Sequence, residues 1–190
     1  MNKQKSHTAL RALCEGAVMV ALAQALGYLK LWELPNGGSV TLSMLPIFVY
    51  CVRWGFVPSI PVSLVFGFLQ LLADGGFAIG WQSMLGDYLI AFGVLCLGGL
   101  CWRMKGGFYW GAVVGSLARF LVHYVVGATI WASYMPPEFF GMTMTSPWFY
   151  SLLYNGSYMA VDLALVLVVG ALLQKPMGRW LKPAVPPKEA

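Results

Sequence analysis

Charge is what this chain has least of. Only 10% of its 190 residues are Asp, Glu, Lys or Arg, 59% are hydrophobic, and the mean hydropathy is +0.71. A soluble domain carries about 25% charge. So few charges cannot cover a water-facing surface, which sets aside an ordinary soluble domain and points to a polytopic membrane protein. Cysteine is also scarce. Cys14, Cys51, Cys96 and Cys101 form no CxxC pair and mostly sit inside apolar runs, so they read as small buried hydrophobes, with no metal and no disulfide expected. There is no GxxxxGK[ST] motif, so the chain alone cannot cradle ATP phosphates. Neither HExxH, nor paired catalytic carboxylates, nor a Ser/His/Asp set within one credible site is present, so the chain does not read as an enzyme and no cofactor is expected. A cleavable signal-peptide pattern and a repeat of 20 to 50 residues are likewise missing.

What is abundant is apolar sequence of spanning length. At roughly 20 residues per span, the chain has room for about six helices with short loops and no separate soluble domain. The runs fall at 9–31, 40–52, 58–73, 81–102, 109–131 and 147–173. The second and third are short for a membrane, so tilt or partial burial is expected there. Lys3 and Lys5, Arg53, Arg103 and Lys105, and Lys175, Arg179, Lys182 and Lys188 share one side if the number of spans is even. The opposite loops hold Lys30, Glu33, Asp74 and Glu138. By the positive-inside rule both termini are then cytoplasmic, and the net charge of +5 reflects anchoring and not nucleic-acid binding. The expectation is an all-α, six-helix membrane bundle forming a single domain over 1–190, with a short N-terminus (1–8) and a Pro-rich tail (174–190).

Ionisable side chains inside a bilayer are costly, about 2.5 to 3.5 kcal/mol each on insertion scales, so each needs a partner, a cavity or a ligand. Glu15, Asp87, Arg119, His123 and Asp162 fall within the spans. Asp87 and Tyr88 lie in the outer third of the fourth span, where a carboxylate suits a cationic ligand. Arg119, His123, Gly127 and Trp131 follow one another at four-residue spacing along the fifth, and Gly127 leaves a gap in which a flat ring fits. Ser151, Asn155, Tyr158 and Asp162 make a polar stripe on the sixth, with Tyr150 at its mouth. Asn155 both donates and accepts, as a nitrogen heterocycle requires, and Asp162 balances Arg119. Together these groups predict an outward-facing pocket for a small, flat cation held by a carboxylate and aromatic faces. Two other signals remain. Ala17, Ala21 and Ala25 recur every four residues, which suits close helix packing either within the bundle or against another membrane subunit. Pro35, Asn36, Gly37 and Gly38 spell a turn between the first two spans.

Several blocks in one order carry a resemblance to a known family: PNGGSVTLSMLPIF, the RWG that follows at 53–55, GDYLIAF around Asp87, ARFLVHYVVGATIWASY and SPWFYSLLYNGSYM. Over nearly its whole length the chain resembles the thiamine-specific S-component of energy-coupling factor transporters, the vitamin importers of bacterial cell membranes. The resemblance implies a six-helix bundle that binds thiamine from outside and partners a transmembrane coupling subunit and two ATPase subunits. It implies that Asp87 and Tyr88, His123, Gly127 and Trp131, and Tyr150 and Asn155 hold thiamine, and that Ala17 and Ala21 dock the bundle on the coupling subunit. It departs at Asp87, where similar proteins can carry glutamate. On this reading the 35–38 loop lids the pocket. The alternative is a stand-alone, proton-coupled secondary transporter of a small cationic heterocycle, with Asp87, His123 and Asp162 as the proton relay.

Overall fold

The computed structural model describes residues 3–74 and 78–184. Its main elements are six apolar helices, α1 (Lys3–Gly27), α2 (Met44–Trp54), α3 (Phe56–Ala73), α4 (Trp81–Cys101), α5 (Gly107–Thr129) and α6 (Pro147–Met177). Five of them are long and apolar enough to cross a membrane, and α2 is the shorter exception. The helical segments coincide with the apolar runs of the sequence to within a few residues at most ends. α1 already begins at Lys3, and α6 continues to Met177 before a 3-10 turn, Gly178–Leu181. Residues 185–190 of the expected tail lie outside the described part.

α2 explains the short second run. Its 11 residues rise about 16 Å at 1.5 Å each, roughly half of a ~30 Å hydrocarbon layer. Every residue from Met44 to Arg53 is buried, and α2 packs against α1, α3, α4 and α5. A helix enclosed in this way needs no polar face, hence its apolar run from Met44 to Val52, with Arg53 the one charge in its last turn. The missing length is made up by a hairpin. β1 (Trp32–Glu33) pairs antiparallel with β2 (Ser39–Val40), Trp32 opposite Val40. The reversal is a 3-10 turn, Pro35–Gly37, in which Pro35 opens the turn and Gly37 takes φ of 93°. A second hairpin precedes α6. There β3 (Glu138–Phe139) pairs with β4 (Met142–Thr143) around Phe140 and Gly141, both at positive φ. The hairpins meet at one end of the bundle, where Trp32 stacks on Phe140 with ring centroids 6.5 Å apart.

Toward the opposite end of the bundle, α4 and α5 approach closely where glycine permits. A Cβ on Gly98 would sit 2.7 Å from the Gly111 carbonyl oxygen, and one on Gly111 2.6 Å from that of Gly98, so the α4 and α5 backbones are in direct contact. On α1, Gly16, Val20 and Ala23 face the core, whereas Ala17, Ala21 and Ala25 are exposed on the outside of the bundle. Leu13, Val57, Leu121 and Leu172 are also exposed, the outward apolar surface a lipid-facing bundle requires.

Candidate functional site

Beneath the two hairpins lies a cavity of about 130 Å³, walled by α3, α4, α5, α6, the end of α1 and the first hairpin. α4 changes its winding at the site. Leu85–Ile90 is π-helical, a local widening that recurs at functional positions. Gly86 is buried in it, and a Cβ there would meet Val126 of α5 at 2.7 Å. The two helices therefore close together and bring the Asp87 carboxylate against α5. Its Oδ1 lies 3.0 Å from His123 Nδ1, and its Oδ2 accepts the Trp131 indole N–H at 2.8 Å. Among the described residues no Lys or Arg pairs with Asp87. With Nδ1–H donating to the carboxylate, a neutral His123 ring presents Nε2 as an acceptor. That atom is buried and has no hydrogen-bond partner among the described residues.

Tyr88, next along, turns its hydroxyl to Asp74 at the end of α3. Burial pushes the Asp74 carboxyl above its usual range, against the opposing pull of Lys30 and of the Tyr88 hydroxyl.

α6 supplies the opposite wall. Asn155 Nδ2 donates to the Ser151 carbonyl and hydroxyl, each at 3.1 Å, and lies 3.3 Å from the His123 carbonyl. Tyr158 donates to Asn155 Oδ1 at 3.2 Å, so the amide is held on both sides. The Ser151 hydroxyl reaches the Tyr124 carbonyl at 2.8 Å. This α5–α6 seam depends on Gly127, where a Cβ would stand 2.5 Å from Ser151 Oγ and 3.1 Å from Asn155 Nδ2. Gly127 does line the cavity, and its smallness is used first to let α6 lie against α5. Tyr150 is buried at the outer end of the wall, edge-on to Phe139 at 5.4 Å.

Deeper in, Arg119 is nearly enclosed. It faces Asp162 Oδ2 at 3.8 Å, donates to Met44 Sδ at 3.2 Å and lies 4.3 Å from the centre of the Phe92 ring. Asp162 Oδ1 also accepts the Thr41 N–H at 2.8 Å. The pair thus fixes the start of α2 to α6, with the structural role its spacing suggests.

The first hairpin covers the cavity. Gly37 and Gly38 line it. Tyr154 donates its hydroxyl to the Pro35 carbonyl and accepts the Gly38 N–H at 2.9 Å. Gly38 is pressed so close to Tyr154 and Tyr158 that a Cβ would approach within 3.0 Å of both. Asn36 belongs to the turn through its backbone, and its side chain lies outside the described part.

The structure gathers Asp87, Tyr88, His123, Gly127, Trp131, Tyr150 and Asn155 around this one cavity. Ala17 and Ala21 lie elsewhere, on the outer face of α1. Tyr154 was not singled out from sequence, although it lies one turn beyond Tyr150 and one before Tyr158, and that tyrosine ladder is the signal that finds it. Ser39, Thr41, Ser43 and Gln70 complete the polar lining.

A bundle of apolar helices enclosing a carboxylate, an imidazole and an aromatic wall beneath a hairpin cover is a multi-pass membrane protein built to take in a small polar molecule. The model of the thiamine transporter protein family (Thia_YuaJ) matches residues 13–181, and the chain belongs to that family. Among its relatives, Thiamine transporter ThiT of Bacillus subtilis (strain 168) is 31% identical over 198 residues, covering 96% of this chain and 98% of that one. Thiamine transporter ThiT of Lacticaseibacillus paracasei is 29% identical over 189 residues, covering 89% and 90%. These relatives are named as transporters, not enzymes. A solved structure of ThiT from Listeria monocytogenes has the same fold, with a TM-score of 0.81 at 21% identity, covering 93% of this chain and all of that one. The family and the apolar helices make the chain a multi-pass protein of the bacterial plasma membrane.

Proposed function

We propose that the chain is the thiamine-capturing S-component of an energy-coupling factor importer. Thiamine enters from outside, is bound unchanged, and is released inside once the bundle is docked on an ATP-driven coupling module. One observation carries the binding reading: Asp87, inside an aromatic-walled cavity, is held by two N–H donors and by no Lys or Arg among the described residues. A carboxylate facing the cavity without a Lys or Arg partner suits a cationic guest. The thiazolium suits Asp87 and the Trp131 face. The aminopyrimidine suits Asn155 and the free Nε2 acceptor of His123.

The same reading has six spans with both termini cytoplasmic, supported by the basic residues gathered on one side. It also has Ala17 and Ala21 as the surface that meets the coupling subunit, supported by their exposure on α1. Arg119 faces Asp162 and Lys30 is bonded to Glu33 at 2.7 Å, which favours the unphosphorylated vitamin over its phosphates. The test is a tryptophan-fluorescence titration of the purified protein with thiamine and thiamine phosphates. Thiamine should bind more tightly than its phosphates, and Asp87→Ala and Asn155→Ala should each weaken it at least tenfold with the thermal midpoint little changed. Unaltered affinity in both variants would remove the site assignment.

A further inference from the structure

The end of the bundle opposite the cavity holds a second built site. Glu15 of α1 is its anchor. Its Oε1 accepts from Arg11 Nε at 3.0 Å and Arg53 Nη2 at 2.9 Å, and its Oε2 from Arg53 Nε and the Trp54 indole N–H, each at 2.8 Å. Arg53 is buried in the last turn of α2 and stacks on Trp180, its guanidinium carbon 4.2 Å from the ring centre. It also donates to the Arg179 carbonyl at 3.3 Å, and its own carbonyl accepts the Ala184 N–H at 2.8 Å. The segment after α6 is thereby folded back over α2. Between them opens a groove of about 370 Å³ lined by Arg11, Arg53, Arg179, Trp180, Pro183 and Ala184.

Three arginines line the groove, and the two that bond to Glu15 already engage both of its oxygens. Two positive charges are left in excess. Among the described residues no carboxylate pairs with Arg179, and Arg11 uses only its Nε on Glu15. Planar guanidinium forks match a phosphate group. The surroundings choose between a dissolved phosphate and a lipid-borne one. Leu10 is exposed next to Arg11 on α1, and Met177 is exposed two residues before Arg179, so apolar surface borders the segments that line the groove. Trp54 and Trp180 are side chains of the kind that settle at headgroup depth. Basic pockets of this kind between membrane helices take anionic headgroups.

We infer that this groove binds the phosphate of an anionic glycerophospholipid, with Arg11 and Arg179 as the contacting forks and Arg53 as the positioning residue held by Glu15 and Trp180. Its acyl chains lie along the apolar surface that begins at Leu10 and Met177. Neither the cavity nor its ligand enters into this assignment.

The test is native mass spectrometry of the full chain released from detergent with phosphatidylglycerol, phosphatidylcholine or inorganic phosphate added, and with Arg11→Gln/Arg179→Gln beside the wild type. Both substituted side chains are on the surface, and thiamine titration serves as the check that the double variant is folded. The expected result is at least tenfold preference for phosphatidylglycerol over phosphatidylcholine in the wild type and loss of that preference in the variant. A rise in thermal midpoint with phosphatidylglycerol, absent with inorganic phosphate, should accompany it. Equal retention of the two lipids, or an undiminished preference in the variant, would overturn the site. An equal rise with inorganic phosphate would overturn the lipid assignment and leave a free-anion site.

Discussion

The indole of Trp131, just past the end of α5, donates to Asp87 Oδ2 on α4 across a 2.8 Å hydrogen bond. The residue at the rim of the site is thereby tied to a carboxylate that lines the cavity, so ring position and carboxylate position are set together. Replacing Trp131 by Phe keeps a π face and removes the donor; replacing it by Ala removes both. A two-step loss is expected by calorimetry, several-fold in thiamine affinity for Trp131→Phe and a further tenfold or more for Trp131→Ala. Equal losses in the two variants would mean that the ring face contributes nothing, and wild-type affinity in Trp131→Phe that the hydrogen bond contributes nothing.

Gly127→Ala is expected to be felt on both sides of the α5–α6 seam. The added methyl would stand 2.5 Å from a Ser151 hydroxyl already bonded to Tyr124, and overpacking of this kind costs about 1–3 kcal/mol. The thermal midpoint should fall by several degrees, and thiamine affinity should fall with it because Asn155 shifts. A variant with wild-type midpoint and affinity would show that the close approach is not required.

Tyr154→Phe removes the hydroxyl that bridges the Pro35 carbonyl and the Gly38 N–H. Each hydrogen bond is worth about 0.5–1.5 kcal/mol, so the hairpin should open more often while the bundle stays folded. Stopped-flow fluorescence should show thiamine leaving roughly five- to tenfold faster. Limited proteolysis should cut the 32–40 segment sooner, with added thiamine protecting it less than in the wild type. Unchanged release and cleavage would argue that the hairpin does not act as a cover.

Ala21→Trp places bulk on the exposed face of α1, away from the cavity. Thiamine binding by the purified protein should stay within twofold of the wild type. Uptake by cells producing the variant should fall at least tenfold, together with co-purification of the coupling subunit. Full uptake would move the docking surface elsewhere.

The site was legible in the sequence because polarity is expensive inside a membrane. Asp87, His123 and Asn155 stand out against their apolar neighbours, and the spacing of four along α5 and α6 puts them on continuous faces. What stayed hidden has no such contrast. The π-helical turn at Leu85–Ile90 is a change of hydrogen-bond register that leaves no pattern of residue types. The hairpins are two residues long on each strand, too short for alternation to show. Tyr154 passed as one aromatic among many because its partners, Pro35 and Gly38, lie more than a hundred residues away. Arg53 reads as a loop charge until Glu15, 38 residues earlier, is seen to face it. Gly127 was noticed for the space it leaves, whereas the neighbour that needs this space, Ser151, comes from another helix.

The doubly engaged Asp87 has a consequence for discrimination. Its two oxygens are occupied by the protein's own imidazole and indole before anything enters. An incoming molecule must therefore compete with resident donors, and it gains only the margin by which it outdoes them. Sodium, potassium and simple alkylamines bring charge without the flat ring or the matching nitrogens, so that margin is small for them however abundant they are outside the cell. On the proposed binding role, the hydrogen bonds to Asp87 set the threshold that separates a matching guest from a commonplace cation.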